Sequence, residues 1–359
     1  MNLAEIPNIQ PYALGKADKE KMLSPFLTML SRHHYHACVP YRKMMDSIGF
    51  DPQKDYHYRD LMFLPVQLFR MFELHSVPDE EIVRTLTSSG TSGKLRSKVF
   101  LDRETAANQT RVLTKILSSF IGTKRRPMII IDSEDTVKSR HHLSAGAAGI
   151  LGFSLLGSKR MFALDEQLQL KTGLLKAFTT EHKGEPLLIF GFTFKVYEYL
   201  YKTLKKTGIQ PDLSNAVLIH GGGWKKMERE SVTATVFRKM MMDVAGISRV
   251  HDYYGMAEQT GSIFMACEYG HYHASSYGDI IIRRSDDFSE ADVGEVGIVQ
   301  VLSILPKSYP GHSLLTDDTG ILLGEDDCSC GRLGKYFTIT GRIGNAGIRG
   351  CSDAYEELP

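Results

Sequence analysis

Thr87-Ser-Ser-Gly-Thr-Ser-Gly-Lys94 packs two glycines, five hydroxyl-bearing residues and a lysine into eight positions. That composition suits a phosphate cradle. Glycines let backbone N–H groups converge on an anion, hydroxyls donate to phosphate oxygens or ligate Mg²⁺, and lysine supplies positive charge. The stretch is not a Walker A loop, because Gly90 and Gly93 stand too close together and no Ser or Thr follows Lys94. A flexible Ser/Gly surface loop has the same composition, so the flanking sequence has to decide.

Working outward from the loop, Lys98-Val-Phe-Leu101 reads as a short strand and residues 104–116 as a helix that Asp102 can cap. Pro127-Met-Ile-Ile-Ile131, Leu187-Leu-Ile-Phe190 and Ala216-Val-Leu-Ile219 are short continuous apolar runs separated by helical stretches. Such spacing predicts an α/β fold with substantial parallel sheet. Upstream, residues 15–50 place Met22, Phe26, Met29 and Leu30 at helical spacing. From residue 278 the texture changes to Asp279-Ile-Ile-Ile-Arg283, Gly297-Ile-Val-Gln-Val-Leu302 and Ile321-Leu-Leu323, strands joined by Gly and Asp turns that predict a smaller β-rich portion.

Composition narrows the function classes. A net charge of +1 gives no basic surface for nucleic acid or anionic membrane, and Lys124-Arg-Arg126 reads as solvated loop. The N-terminus lacks a signal-like apolar run, and no stretch reaches the ~18 apolar residues a membrane span needs. A cytoplasmic protein without nucleic-acid partners is the expectation. Five cysteines, an odd number, favour metal binding or thiol chemistry over disulfides.

The 87–94 loop resembles the phosphate loop of adenylate-forming enzymes, the superfamily of acyl-CoA synthetases, luciferases and non-ribosomal peptide synthetase adenylation domains. Further landmarks follow in the same order. Gly221-Gly-Gly-Trp224 resembles the segment lying against adenine. His251-Asp-Tyr-Tyr-Gly-Met-Ala-Glu258 resembles the Tyr-Gly-x-Thr-Glu motif, whose aromatic residue contacts adenine and whose Glu helps hold Mg²⁺. Ala257 replaces the usual Thr and removes a hydroxyl, so only Tyr254, Gly255 and Glu258 carry over. Leu315-Thr-Asp-Asp318 resembles the segment ending in the ribose-binding Asp, and Gly341-Arg342 the Gly-Arg motif after it.

The resemblance therefore implies ATP binding by Ser88, Ser89, Gly90, Thr91, Ser92, Gly93, Lys94, Gly221, Gly222, Gly223, Trp224, Tyr254, Gly255, Asp318 and Arg342, with magnesium at Glu258. A substrate carboxylate would attack the α-phosphate of ATP, and loop N–H groups, Mg²⁺ and Lys94 would stabilise the charge that accumulates. A carboxylate is already ionised at neutral pH, so no general base is required.

Typical members of the superfamily continue beyond the Gly-Arg motif into a mobile C-terminal domain bearing a catalytic Lys, whereas this sequence ends at residue 359. It is most similar to the acyl-protein synthetases of bacterial bioluminescence, the long-chain fatty acid luciferin-component ligases. The resemblance spans Phe63-Leu-Pro-Val-Gln-Leu-Phe69, Ser88 to Gly93, Leu101-Asp-Arg-Glu-Thr-Ala106 and Arg349-Gly-Cys-Ser352. In that family a cysteine near the C-terminus accepts the acyl group as a thioester and passes it to a partner acyl-CoA reductase. Cys351 matches it, and Lys94, Glu258 and Cys351 are the implied catalytic residues.

The implied fold is α/β, the large N-terminal domain of an adenylate-forming enzyme with a β-rich C-terminal portion and without the mobile C-terminal domain. Within one such domain, residues 1–86 form a helical segment, 87–277 the nucleotide- and acyl-binding part, and 278–359 the β-rich part with a tail. Competing readings are an acyl-CoA ligase that transfers to free CoA and a non-catalytic zinc-stapled partner subunit. Phe190-Gly-Phe-Thr-Phe194 and Ser144-Ala-Gly-Ala-Ala-Gly149 read equally as acyl-tunnel lining or as core.

Cys267, His273, Cys328 and Cys330 together offer three thiols and an imidazole, the ligand set of a closed structural zinc site. His271 rivals His273 for the imidazole position. Similar Cys, His and Cys-x-Cys groups in phenylacetate-CoA-ligase-like proteins bind zinc, and that resemblance favours His273. Four protein ligands leave no open position for catalysis, so the expected role is a staple. Cys38 reads as packing.

Overall fold

Residues 126–133 are shielded almost throughout, which a strand achieves when helices cover both faces of its sheet. The computed structural model describes residues 9–88, 96–138 and 144–343, and their side chains except those of Ala145, Lys225, Lys226 and Glu228. In chain order the strands are β1 (Leu64–Pro65), β2 (Arg84–Thr87), β3 (Lys98–Leu101), β4 (Arg126–Ser133), β5 (Gly157–Leu164), β6 (Leu187–Phe192) and β7 (Ala216–Gly221). There follow β8 (Arg249–Tyr254), β9 (Phe264–Ala266), β10 (Tyr272–His273), β11 (Gly278–Arg283), β12 (Val296–Ser303), β13 (Ser313–Glu325) and β14 (Lys335–Arg342).

Among the described residues twelve of these strands make one sheet, in the order 11-12-13-14-10-9-8-7-6-4-5 with β1 alongside β13. β5, β4, β6, β7 and β8 run parallel, and from β9 onward neighbours in that order are antiparallel. β5 and β11 are the outermost strands, and β2 and β3 form a separate hairpin on either side of the 87–94 loop.

Alternation along β4 builds two cores. Met128 and Ile130 enter one with residues of helices Lys16–Ala37 and Arg103–Ile121, while Ile129 and Ile131 enter another with Leu175, Val196 and Phe237. The capped helix predicted after Asp102 is present, with the Asp102 carboxylate accepting from Thr105 N at 2.7 Å, and it runs on to Ile121. A third cluster, built on Ile280, Ile282, Val301, Leu314 and Phe337, lies against the antiparallel half and includes Cys38, which packs as expected.

One difference from the sequence reading, and one alternative that reading left open, bear on the site. β13 is thirteen residues long where a strand was expected only at 321–323, because β12 and β14 both pair along it. It thus contains Leu315-Thr-Asp-Asp318 and fixes Asp318 in a sheet rather than a turn. Phe190, Phe192 and Phe153 are packed rings, the first and third stacked at 4.2 Å, so the aromatic stretch belongs to the core beside Tyr253.

Candidate functional site

Open parallel sheets bind ligands beyond the carboxyl ends of their strands. There β7 closes on Gly221, where a Cβ would stand 2.5 Å from Tyr253 Cε1 and 2.6 Å from the Tyr253 carbonyl oxygen. Gly222 and Gly223 follow with φ of 82° and 71°, two successive left-handed residues that only glycine adopts cheaply. Thr193 Oγ1 donates to Gly221 O at 3.1 Å and lies 2.9 Å from His220 Nδ1, which fixes the turn from below. Trp224 turns its ring edge-on to Tyr197 and Phe237, at 4.9 and 5.8 Å, within an apolar cluster.

Tyr254 ends β8 and reaches across to β13. Its hydroxyl donates to Asp318 Oδ2 at 2.7 Å, and Arg342 Nε on β14 donates to Asp318 Oδ1 at 2.7 Å. Thr316 Oγ1 receives the Asp318 N–H at 3.1 Å and donates to Val299 O, holding the strand at this point. Burial, reinforced by the Asp318 charge, pushes the Tyr254 phenol well above its ordinary value, so it stays a donor. The three residues taken from separate motifs are therefore one hydrogen-bonded group.

Glu258 sits on the short turn Ala257–Gln259 and is buried at 6% exposure. Burial raises its carboxyl above the usual range, a shift that Ser97 and the Arg70 guanidinium partly oppose. Gly311 approaches it so closely that a Cβ there would meet Glu258 O at 2.7 Å. A shielded carboxylate with this leaning gains from a cation, and Glu258 fits magnesium on that chemistry. Ser88, whose Oγ accepts from Ser97 N at 2.9 Å, is with Thr87 the described part of the 87–94 loop. Ser89, Gly90, Thr91, Ser92, Gly93 and Lys94 lie outside the described residues, as does Cys351.

On the far side of β10 the predicted thiols meet. The donor atoms of Cys267, His273, Cys328 and Cys330 all lie within 4.8 Å of one another, with His273 Nε2 3.3 Å from Cys330 Sγ. A tetrahedral S₃N zinc site separates its sulfurs by about 3.8 Å, so the four donors fit such an ion. His271 is not one of the four; its Nδ1 lies 3.5 Å from Cys328 Sγ. Burial pushes the Cys328 thiol up to about 12 and raises that of Cys267, the order a bound cation reverses. Arg332, which also pairs with Glu268 at 3.1 Å, brings its positive charge to Cys330.

The sequence model of the family described as "Acyl-protein synthetase, LuxE" matches residues 4–358. The chain belongs to this family. Two curated relatives are long-chain-fatty-acid–luciferin-component ligases. The one from Vibrio harveyi is 20% identical over 95% of this chain and 89% of its own length. The one from Aliivibrio fischeri is 22% identical over 73% and 69%. Among solved structures, 2-hydroxyisobutyryl-CoA ligase in complex with 2-HIB-AMP and CoA superposes with TM-score 0.70 at 16% identity, covering 93% of this chain and 77% of that one. ATP-bound MatB from Rhodopseudomonas palustris gives 0.50 at 12%, over 74% and 49%. This acyl-protein synthetase is a ligase, and its α/β fold is that of the adenylate-forming enzymes.

Reading the sequence missed the polar residues that join the synthetase's two halves. Asp252 Oδ2 accepts from the Tyr272 hydroxyl at 2.6 Å, and Asp252 Oδ1 accepts from Tyr253 N at 2.8 Å and lies 3.5 Å from His220 Nδ1. The signal was present in the polar run His251-Asp-Tyr-Tyr254, which reads poorly as a strand because it lacks an apolar alternation. Among the described residues no helix is long and apolar enough to cross a membrane.

Proposed function

We propose that this synthetase activates a carboxylic acid of the fatty-acid class with Mg²⁺-ATP, transfers the acyl group to Cys351, and delivers it to an acceptor protein such as an acyl-CoA reductase. The observation that carries the proposal is the Tyr254–Asp318–Arg342 group beside the Gly221–Gly223 turn. A carboxylate held between two donors accepts hydroxyls of a ribose, and an aromatic face and open glycine backbone accept a flat base. The names of the two curated relatives support the choice of acid.

In the first step a substrate carboxylate oxygen bonds to the α-phosphorus, the bond from that phosphorus to the bridging oxygen breaks, and pyrophosphate leaves. Ser88 to Lys94 are assigned to the phosphates, and Glu258 to the magnesium ion, which supplies charge neutralisation when bound. In the second step the Cys351 thiolate attacks the acyl carbon and AMP departs. Trp224 borders the base from its apolar cluster. Zinc at Cys267, His273, Cys328 and Cys330 is a structural staple, and the setting is cytoplasmic. Residues 1–86, 87–277 and 278–359 act as parts of one domain.

The test is acyl labelling with a panel of radioactive carboxylic acids and Mg²⁺-ATP, alongside acid-dependent pyrophosphate exchange. Wild type should exchange and carry hydroxylamine-labile label; Cys351→Ser should exchange but carry no label; Asp318→Asn should lose exchange by about a hundredfold. Exchange without label on wild type would move the acceptor to free CoA. Exchange undiminished in Asp318→Asn would sink the assignment of the nucleotide site.

A further inference from the structure

β10 contains only Tyr272 and His273, so adjacent side chains leave it on opposite faces. His273 enters the thiol cluster and stacks on Tyr336 at 5.7 Å and 22°. Tyr272 turns the other way and packs against Tyr254 at 6.3 Å and Phe337 at 5.7 Å, and Phe337 also lies edge-on to Tyr254 at 6.2 Å. β14 repeats the division, since Tyr336 pairs in register with His273 and Phe337 with Tyr272. One face of this two-strand ribbon therefore carries the cluster and the other abuts the nucleotide group.

A polar link crosses that packing where the Tyr272 hydroxyl donates to Asp252, two residues before Tyr254 on the same strand and same face. Asp252 neighbours His220 across β7 and β8, and His220 meets Thr193, which holds Gly221. A displacement of β10 would thus reach both parts assigned to the nucleotide. We infer that Tyr272 is a positioning residue that couples occupancy of the thiol–imidazole cluster by zinc to the affinity of the Tyr254–Asp318–Arg342 site for ATP. The inference rests on the nucleotide-site and zinc assignments proposed above.

Coupling between two binding sites is reciprocal, so either ligand can report it. Equilibrium dialysis would give the affinity for Mg²⁺-ATP, and chelator competition the affinity for Zn²⁺ with and without saturating Mg²⁺-ATP. In wild type, Mg²⁺-ATP should tighten the hold on Zn²⁺ by about tenfold, a size set by one charge-assisted hydrogen bond. Tyr272→Phe keeps the ring, should retain its zinc, should bind Mg²⁺-ATP about tenfold more weakly, and should lower the tightening to less than about twofold. Asp252→Asn, the second variant, should do the same, and the two losses should not add in the double variant.

Wild-type ATP affinity in Tyr272→Phe, or an unchanged effect of ATP on zinc, would overturn the inference. Asp318→Asn separates the two levels. If it abolishes ATP binding while Tyr272→Phe does not weaken it, only the coupling fails; if it binds ATP normally, the nucleotide assignment fails and the coupling with it. A protein that holds no zinc overturns the coupling alone.

Discussion

Glu258, the residue proposed to hold magnesium, is buried at some expense to folding. Its raised carboxyl pKa means that the folded chain holds the proton more tightly than the unfolded one, so its contribution to stability is present at low pH and is lost as pH rises through the folded value. Glu258→Gln removes the charge at nearly constant shape. The ligand-free variant should accordingly melt at the same temperature as wild type or higher at about pH 7.5, with the difference shrinking toward about pH 4. Its melting temperature should respond far less to Mg²⁺-ATP. Thermal scans with and without Mg²⁺-ATP check both, and a variant that melts lower when empty yet responds normally to the nucleotide would contradict the magnesium assignment. Tyr254, Glu258 and Asp318 stand out in the sequence as candidates because their motifs keep them in short, ordered stretches, and the structure joins two of them, Tyr254 and Asp318, by a hydrogen bond. Asp252 and Tyr272 do not, because neither means anything until β8 and β10 are brought together by the fold.

At the scale of elements, the turn after β7 is set by contact with β8. Gly221→Ala would drive a methyl into the Tyr253 ring and into backbone oxygen at 2.6 Å, and backbone cannot rotate away as a side chain end can. Destabilisation of about 1–3 kcal/mol is expected, read from urea midpoints, together with weakened ATP binding in whatever protein remains folded. The apolar runs of β4, β6 and β7 were plain in the sequence, since strands covered on both faces need no alternation. β8 and β13 were harder. The first carries His, Asp and Tyr where a strand usually shows apolar residues, and the second draws much of its length from pairing with β12 and β14, a tertiary cause that local propensity does not record.

Across the whole molecule, helix Lys16–Ala37 is pinned to the segment between β12 and β13 by buried histidines. His34 Nε2 donates to Pro306 O at 3.1 Å and its Nδ1 meets Ser76 Oγ at 2.8 Å, while His312 Nε2 meets Ser31 Oγ at 2.8 Å and its ring stacks on His34 at 4.9 Å. Burial pushes His312 down to about 3, and burial with the neighbouring His312 and His33 holds His34 well below 6.5. Folded values below the unfolded ones place this stability above about pH 6.5 and withdraw it as pH falls from there toward about 3. Each such histidine should cost about 1.4 kcal/mol per pH unit once the unfolded chain is protonated. Urea midpoints between about pH 7.5 and 5 should fall on this slope, and His312→Gln, weaker at about pH 7.5, should lose less on acidification. An equal slope in the variant would remove His312 from the explanation.

The outermost strands of the sheet also determine how another protein can approach it. Beyond β11 the chain folds back on itself, with Ala291 N donating to Ile282 O and Arg283 bridging to Glu290, so the free hydrogen-bonding edge is already occupied. At the other end β5 presents Ser158, Lys159 and Arg160 to solvent, and charge along an edge discourages a further strand from joining. A sheet closed at one end by its own backbone and guarded at the other by cations cannot readily grow by strand addition. An acceptor protein of the kind proposed above would therefore meet this sheet through side chains and loops, which leaves partner choice to residues that evolution can exchange without disturbing the scaffold.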